Sequence, residues 1–317
     1  MLPASKNSRA ACGSGSDGRK SKNLRLRARM LAAVRGFFAG RGYLEVETPC
    51  MASAPIPEPH IDFVETSRGV LLPSPEVYMK RLLAEGHSRI FQIARCFRDG
   101  ERGDRHLPEF TMLEWYRSGT DYRGLMEECE ALVQNVAASL GIGRVHTYRG
   151  QKIDLEAPWQ RITVTEAFDR YAPDPLDAAL ASGRFEEWLV MHVEPRLGRS
   201  VPTFLHDYPA SMASLSRLRA TDPGVCERFE LYLGGLEIAN GFSELTDPDE
   251  QRVRFQGDLE VRKRLGRKPF RMPEVFLEAV GRMPEAGGMA LGIDRLAMVL
   301  ADCSRIDRVV AFTPEDG

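Results

Sequence analysis

The stretch RDGERGDRHLPEFTMLEWYR, residues 98–117, changes character halfway along its length. Its first half is mostly charge and glycine, which favours an exposed loop, and its second half alternates apolar and polar residues, which is typical of a strand. The preceding segment RIFQIARCFR also alternates. We therefore predict two antiparallel strands joined by a loop of nine residues, 99–107, which is too long for a tight turn and too polar to bury.

The alternation of the second strand places four side chains on one face, namely Phe110, Met112, Glu114 and Tyr116. Antiparallel pairing would bring Arg98 to the same face, beneath the basic loop. Such a surface could stack an aromatic base on Phe110 and hold a phosphate with Arg98. An ordinary exposed hairpin with a solvated charge run is the alternative interpretation of this stretch alone.

Composition narrows the class of protein. The chain has 317 residues with 43% hydrophobic content, which is enough for a substantial core. Its net charge of -2 lacks the basic excess of a dedicated nucleic-acid binder. Six cysteines are scattered without a CxxC pair, which indicates free thiols in a reducing compartment. No apolar run is long enough to span a membrane, and the N-terminus has no secretory apolar region, so we expect a cytoplasmic protein.

The N-terminal residues 1–23 are rich in Ser, Gly and basic residues, so we expect a disordered extension there, with an acid-poor targeting segment as the alternative. Residues 24–317 carry the patterns of one folded domain. Helices are predicted in the segments LRLRARMLAAVRGFFAGRGY, PSPEVYMKRLLAEG, DYRGLMEECEALVQNVAASLG and DPDEQRVRFQGDLEVRKRLG. A strand broken by two glycines is predicted in RFELYLGGLEIANGF. Mixed helices and hairpins favour the α+β class, with an antiparallel sheet flanked by helices.

Three further stretches accompany the predicted strand pair. GRGYLEVETPCM, residues 40–51, combines a helix end with a short strand. FELYLGGLEIANGFSELTD carries Glu230, Glu237 and Glu244 at intervals of seven. GGMALGIDRLAM, residues 287–298, is a glycine-rich strand that leads into a helix.

Together with residues 98–117, these stretches resemble the signature motifs of class II aminoacyl-tRNA synthetase catalytic domains. The resemblance extends from about Leu24 to Phe312, and SPEVYMKRLL, HLPEFTMLEWY and ANGFSELTDPDEQ resemble the lysyl branch. Lysyl-tRNA synthetases carry an anticodon-binding domain before the first motif, and the 39 residues before it here leave no room for one. A core without that domain resembles the elongation factor P–(R)-β-lysine ligase family, which Ala290 also favours over the glycine usual in tRNA-charging enzymes.

This resemblance implies that ATP activates lysine or (R)-β-lysine as an adenylate, which is then transferred to a lysine side chain of elongation factor P. Two alternatives stay open: a small synthetase that acylates tRNA or a free amine, and a non-catalytic regulatory paralogue. The near-neutral charge argues against tRNA as a partner, because tRNA binding relies on many phosphate contacts. Retention of Arg98, Glu237 and Arg295 argues against the non-catalytic alternative.

For the nucleotide, the resemblance implies two catalytic arginines. Arg98 would bridge the α-phosphate and the substrate carboxylate in a fork geometry that lysine cannot reproduce. Arg295 would hold the γ-phosphate with His106 and flank the adenine opposite Phe110. The remaining residues that the resemblance assigns to ATP are Asp99, Gly100, Glu237, Ile238 and Gly292.

Glu230 and Glu237 correspond to the family's carboxylates for Mg²⁺, an ion that favours a couple of carboxylates together with phosphate oxygens. A spacing of seven would point them to opposite faces of a regular strand. We therefore predict a bulge at Gly234-Gly235 that returns both to one face.

For the amino acid, the resemblance assigns the side-chain ammonium to Glu244 and Tyr116, the other amino group to Glu76 and the carboxylate to Asn240, with Ser74 in the same pocket. Each has an ordinary alternative. Glu76 opens its helix, where a carboxylate suits the helix dipole, Glu244 could be a surface acid, and Asn240 could belong to a turn.

Two positions depart from the lysyl pattern. Gly100 occupies the position of a glutamate that contacts adenine, and Glu101 follows it, so the loop is either shifted by one residue or relies on backbone groups. Leu107 replaces the asparagine of the usual HNPEF.

The first motif resembles a segment that packs across a two-fold axis in this family. The preceding helix carries a wide apolar arc, formed by Met30, Leu31, Val34, Phe37 and Phe38. An arc that wide is normally covered on more than one side. We therefore expect a homodimer.

Overall fold

The protein is described by a computed structural model that covers residues 14–316, with side chains from residue 18 onward. In this part of the chain the α-helices are α1 Ser14–Ala39, α2 Glu76–Ala84, α3 Tyr122–Ser139, α4 Val164–Tyr171, α5 Leu176–Ala181, α6 Phe185–Trp188, α7 Pro248–Arg264, α8 Glu274–Val280 and α9 Ile293–Leu300. A π-helical turn at Leu189–Val193 continues α6. Short 3₁₀ turns lie at Glu194–Arg196, Ala210–Met212, Ile306–Arg308 and Pro314–Asp316.

The strands are β1 Leu44–Glu45, β2 Met51–Ala52, β3 Glu65–Thr66, β4 Gly69–Leu71, β5 Arg89–Phe97, β6 Glu109–Ser118, β7 Val145–Tyr148, β8 Gln151–Asp154, β9 Gln160–Thr163, β10 Thr203–Pro209, β11 Leu218–Arg219, β12 Asp222–Leu233, β13 Leu236–Ser243 and β14 Ala286–Gly292. A large sheet has the order β1-β5-β6-β14-β13-β12-β10-β9, with β11 paired to β12. Its central pairs are antiparallel, and the β1–β5 and β10–β9 pairs are parallel. The predicted α+β class is confirmed.

The strand pair around the opening stretch has the predicted pairing. β5 and β6 run antiparallel, with Cys96 opposite Phe110 and Gln92 opposite Glu114. β6 then pairs with β14 on its other side, where Ala290 lies opposite Glu114. The motif that contains residues 98–117 and the glycine-rich strand are therefore neighbours in the middle of the sheet.

The apolar arc of α1 packs inside the chain. Met30, Val34 and Phe38 are fully buried, and Phe38 stacks on Phe91 with ring centroids 4.7 Å apart. These side chains form one core with α3 and α9. The expectation that this arc needs a second subunit as cover is wrong, because the sheet and α3 already cover it.

The expected N-terminal extension is corrected in its described part. α1 begins at Ser14, so residues 14–23 continue the helix. Asn23 is buried, and its side-chain amide donates to the Cys303 sulfur at 3.2 Å and to the Arg308 carbonyl at 3.0 Å. Helical propagation and this C-terminal anchor explain why the ordered fold starts before residue 24. Residues 1–13 lie outside the described part.

The two glycines after β12 form a hairpin turn, so the predicted bulge at this pair is corrected. Gly234 and Gly235 have φ of 66° and 75°, which is the conformation of a two-residue hairpin loop. The register instead shifts beside the turn, where Leu231 pairs with Ala239 and Tyr232 with Glu237. This bulge leaves Ile238 of β13 without a partner on β12. Glu237 therefore lies directly across from Tyr232, and directly paired residues of neighbouring strands project from the same face of a sheet. Since Tyr232 and Glu230 also share that face, Glu237 and Glu230 lie on one face.

No helix in residues 14–316 is long and apolar enough to cross a membrane.

Candidate active site

Two adjoining pockets open on one face of the large sheet. The first, called the arginine pocket here, has about 720 Å³ of empty volume and is lined by Arg98, His106, Phe110, Glu237, Arg295 and their neighbours. The second, called the carboxylate pocket, has about 810 Å³ and is lined by Glu58, Ser74, Glu76, Glu114, Tyr116 and their neighbours. Arg98, Met112, Asn240 and Ala290 line both. The two pockets therefore meet at the Arg98 guanidinium.

Arg295 organises the deep wall of the arginine pocket. It is the third residue of α9, and its Nη1 donates to the Glu237 carbonyl at 2.9 Å and to the Glu237 carboxylate at 3.0 Å. Its Nη2 lies 2.6 Å from Nε2 of His106. Burial would raise the pKa of Glu237, but Arg295 outweighs it and lowers that pKa. Burial and Arg295 also lower the pKa of His106, so the imidazole is neutral near pH 7.

Arg98 follows β5 directly and lies over the Phe110 ring, with its guanidinium carbon 5.2 Å from the ring centroid. Its Nη1 is 3.8 Å from the Glu101 carboxylate. Its Nε is buried without a hydrogen-bond partner among the described residues. A buried guanidinium nitrogen without an acceptor fits an anionic ligand.

The loop after β5 resolves which acid faces the arginine pocket. Glu101 lines the pocket, whereas Asp99 and Gly100 are not among the lining residues. Gly100 has φ of 72° and its N–H binds the Asp99 carboxylate at 2.9 Å, so the chain turns there. Of the two alternatives for this loop, the position of Glu101 in the pocket lining favours a shift by one residue.

A polar anchor holds α9 against β6. The buried Asp294 accepts the Thr111 N–H at 2.7 Å and forms an ion pair with Arg27 of α1. Arg27 also donates to the Thr111 hydroxyl at 2.9 Å. This anchor fixes the helix turn from which Arg295 projects. Sequence patterns alone did not point to Arg27, because its partners Thr111 and Asp294 lie far away in the chain.

The carboxylate pocket is built around a buried acid, Glu114. It accepts the Ser74 hydroxyl at 2.8 Å and the Tyr116 hydroxyl at 2.5 Å. Ser74 also accepts the Glu76 N–H at 3.0 Å, so it caps α2 from one residue before the cap position. Burial and the nearby Glu76 raise the pKa of Glu114 to about 8. Burial in this pocket therefore favours the protonated form of Glu114 near pH 7.

Lys80 was missed by sequence reasoning. It is the buried cation that pairs with Glu76 and Glu244. Its ammonium lies 2.6 Å from the Glu76 carboxylate and 2.5 Å from that of Glu244, and its side chain is 1% exposed. Burial lowers its pKa, but Glu244 and Glu76 outweigh burial and raise it. The signal in the sequence is its i+4 spacing from Glu76, which puts both on one helix face.

Glu244 lies behind the pocket wall and is not among the lining residues. Its second carboxylate oxygen is buried without a hydrogen-bond partner among the described residues. A Cβ at Gly288 would overlap this oxygen and the Tyr116 ring, so only glycine leaves room for both behind this part of the pocket wall. Lys80 pairs with Glu76 and Glu244, and two arginines line the pocket as well. The four acids of the region still outnumber its three cations, which suits an ammonium ligand.

The carboxylates predicted to bind metal have partners of their own. Glu230 accepts Arg228 Nη2 at 2.7 Å and the Tyr232 hydroxyl at 2.7 Å, whereas Glu237 faces the arginine pocket. Burial raises the pKa of Glu230, with Glu237 adding to the rise and Arg228 opposing it. Within residues 14–316 no group of three His, Cys, Asp or Glu has a metal-binding arrangement. Two carboxylates on one sheet face, one of which lines the arginine pocket, still fit Mg²⁺, which takes several ligands from water and phosphate.

The structure brings most of the sequence-predicted residues together. Those in the arginine pocket are Arg98, His106, Phe110, Glu237, Ile238, Gly292 and Arg295, and those in the carboxylate pocket are Ser74, Glu76, Tyr116 and Asn240. Asp99, Gly100, Glu230 and Glu244 are not among the residues that line either pocket. Glu58 and Glu101 line the pockets without having been assigned a role.

Comparison with known proteins agrees with this geometry. The family model of class II tRNA synthetases (D, K and N) matches residues 15–316. A protein from Proteus mirabilis, named elongation factor P–(R)-β-lysine ligase, is 40% identical, and the match covers 92% of this chain and 94% of that protein. Proteins of the same name from Salmonella dublin and Vibrio campbellii are each 39% identical, over 92% of this chain and 94% and 95% of theirs. The chain therefore belongs to the class II tRNA synthetase family and, within it, to the elongation factor P–(R)-β-lysine ligases.

Proposed function

We propose that this protein activates (R)-β-lysine with ATP and transfers it to a lysine side chain of elongation factor P. The observation that carries the proposal is that Arg98 lines both pockets, one with three arginines and one with three glutamates. ATP is polyanionic and β-lysine carries two ammonium groups, so the arginines suit the phosphates and the glutamates suit the ammonium groups. The relatives that bear the ligase name support the same reaction.

In the first step an oxygen of the substrate carboxylate attacks the α-phosphorus of ATP. The new bond joins that oxygen to phosphorus, the bond between the α-phosphorus and the bridging oxygen breaks, and pyrophosphate leaves. Arg98 is placed to touch both reactants and stabilises charge on the α-phosphoryl oxygens. Arg295 and His106 would bind the terminal phosphate, with Arg295 exchanging its Glu237 partner for phosphate oxygens.

In the second step the neutral amine of the acceptor lysine attacks the carbonyl carbon of the adenylate. The carbon–nitrogen bond forms, the bond to the phosphate oxygen breaks, AMP leaves and the amine loses a proton. The chain needs no nucleophile of its own, because the mixed anhydride is already activated. Orientation of the two reactants supplies most of the rate enhancement.

Glu237 and Glu230 would hold Mg²⁺ at the phosphate end of the arginine pocket. When bound, the ion would neutralise charge on the phosphate oxygens. Arg228 and Tyr232 orient Glu230, because each donates to one of its carboxylate oxygens.

A cytoplasmic homodimer that does not use tRNA is part of the proposal. Five cysteines of the described residues are free thiols, as in a reducing compartment. β1 is an edge strand within the first motif that leaves Leu44 51% exposed, so a second copy could cover it. We expect an interface on the order of 2,000 Å². Light scattering at micromolar concentration tests this, and a stable, active monomer of 35.5 kDa would contradict it.

The reaction is tested by incubating the protein with ATP, Mg²⁺, either lysine isomer, and elongation factor P or tRNA. We expect elongation factor P to gain the mass of one β-lysyl group and tRNA to gain none. Acylation of tRNA alone would support a small synthetase instead. No pyrophosphate exchange with any amino acid would support the non-catalytic paralogue.

A further inference from the structure

Glu58 is a carboxylate of the pocket that neither the motifs nor the mechanism uses. It lies between β2 and β3 and lines the carboxylate pocket. Its side chain forms no hydrogen bond or ion pair among the residues of the 14–316 range, so no direct partner holds its carboxylate. Glu76, Arg98 and Arg228 line the same pocket, and the two arginines favour the ionised form of Glu58.

The other acids of this region are already engaged. Glu114 accepts two hydroxyl groups, and Glu76 and Glu244 share the ammonium of Lys80. Glu76, to which the resemblance assigns the second amino group of the substrate, therefore has only part of its charge to offer. Glu58 is the pocket acid that has no direct hydrogen-bond or ion-pair partner among the described residues.

The backbone of Glu58 is held in place. Its N–H donates to the Ile56 carbonyl at 2.9 Å, and its carbonyl accepts Arg262 Nη1 at 2.5 Å. Arg262 Nη1 also donates to the Ile61 carbonyl at 2.9 Å, and Arg267 Nη1 donates to the Pro59 carbonyl at 2.6 Å. Both arginines come from the α7 region, so tertiary contacts fix Glu58 at the pocket wall.

We propose that Glu58 is a specificity-determining residue that binds the amino group nearest the reacting carboxylate of the substrate. The inference rests on the proposed function, because that reaction places the substrate carboxylate at Arg98. Glu58 and Arg98 line the same pocket, whereas Glu244 is buried behind its wall beside Lys80. A six-carbon diamino acid would then be bound by an acid near each end.

The raised pKa of Glu58 agrees with this role. Burial and the neighbouring Glu76 raise the pKa of Glu58 to about 7. A bound ammonium group would restore the ionised form.

Substrate analogues separate this contact from all the others. Lysine and β-lysine carry an amino group on the second or third carbon as well as on the sixth, and 6-aminohexanoate lacks only the group near the carboxylate. We expect Glu58→Gln to weaken binding of both diamino acids about ten- to a hundredfold, the size of one charged hydrogen bond. Binding of 6-aminohexanoate and of ATP should stay within twofold. Titration calorimetry measures all four ligands without requiring turnover.

Glu65→Gln is the matched control, because Glu65 lies in the same region but is exposed and pairs with Lys268 at 2.9 Å. It should change no affinity. Glu58→Asp keeps the charge on a shorter side chain and should give intermediate affinity for the diamino acids. Thermal unfolding of each variant shows that the fold is intact.

Equal weakening of 6-aminohexanoate and the diamino acids by Glu58→Gln, or no weakening of any, would overturn the proposal. Failure of the proposed function gives a different result. A wild-type protein that binds diamino acids through Glu58 but exchanges no pyrophosphate would contradict the reaction and keep the contact. A wild-type protein that binds no diamino acid would contradict both.

Discussion

The arginine pocket and the carboxylate pocket share one sheet face but hold their charges differently. In the arginine pocket, Arg295 and Glu237 have side chains that are 20% and 36% exposed. In the region of the carboxylate pocket, Lys80 and Glu244 are 1% and 0% exposed. The first pairing is open to solvent and the second is closed.

This difference in exposure implies that the ion pairs of the two pockets respond differently to a bound ligand. The Arg295–Glu237 pair is partly exposed, so solvent weakens it more than the Lys80 pairs and arriving phosphates can replace Glu237 at a smaller cost. The buried Lys80 pairing cannot exchange partners cheaply, because breaking it leaves an uncompensated buried charge. We infer that the nucleotide rearranges its pocket, whereas the amino acid enters a rigid one.

Arg98→Ala should give the largest effect, because Arg98 belongs to both pockets. Loss of one contact to developing charge costs roughly 10²–10³-fold, and Arg98 is expected to make two, so pyrophosphate exchange should fall by about 10³-fold or more. Arg89→Ala, at the exposed start of the same strand, is the control and should be near normal. Near-normal exchange by Arg98→Ala would remove this residue from the mechanism.

Lys80→Met tests the rigid pocket. Removing the ammonium leaves Glu76 and Glu244 buried without their partner, which should lower the free energy of unfolding by about 3–5 kcal/mol. Urea denaturation measures this, with the neighbouring Arg81→Met as a control that should change stability little. A loss below about 1 kcal/mol would mean that the two acids are protonated or solvated.

Glu244→Gln should act on one pocket only. The substrate ammonium would lose its counter-charge, so the KM for β-lysine should rise about ten- to a hundredfold with the KM for ATP unchanged. The unpaired oxygen of Glu244 behind Gly288 is the reason for this expectation. Equal losses for both substrates would identify Glu244 as structural.

The pH dependence of binding should be the smallest effect. Burial raises the pKa of Glu114 and of Glu244 to about 8, so protons occupy these acids at lower pH and must leave before an ammonium binds. The affinity for β-lysine should therefore increase as pH rises, by roughly fifteenfold from pH 6.5 to 8 if one proton must leave. Calorimetry in two buffers of different ionisation enthalpy counts the released protons. Proton uptake, or affinity that falls with pH, would contradict the raised pKa values.

Local patterns determined much of the arginine pocket. Arg98, His106 and Phe110 lie in one short stretch, and the alternation of the following strand fixes which side chains share a face. The fold class followed in the same way from helix and strand periodicities, and pairing of β5 with β6 could be predicted because they are adjacent in the chain.

The tertiary structure alone decided which charges meet. Lys80 finds Glu244, Arg27 finds Asp294 and Arg262 holds the loop of Glu58, and all of these contacts join residues distant in the chain. The same limit explains the error about α1, because an apolar arc looks the same whether its cover comes from α3 or from another subunit. A sequence shows which side chains need a partner, and only folding fixes which partner lies within the few ångströms over which such contacts act.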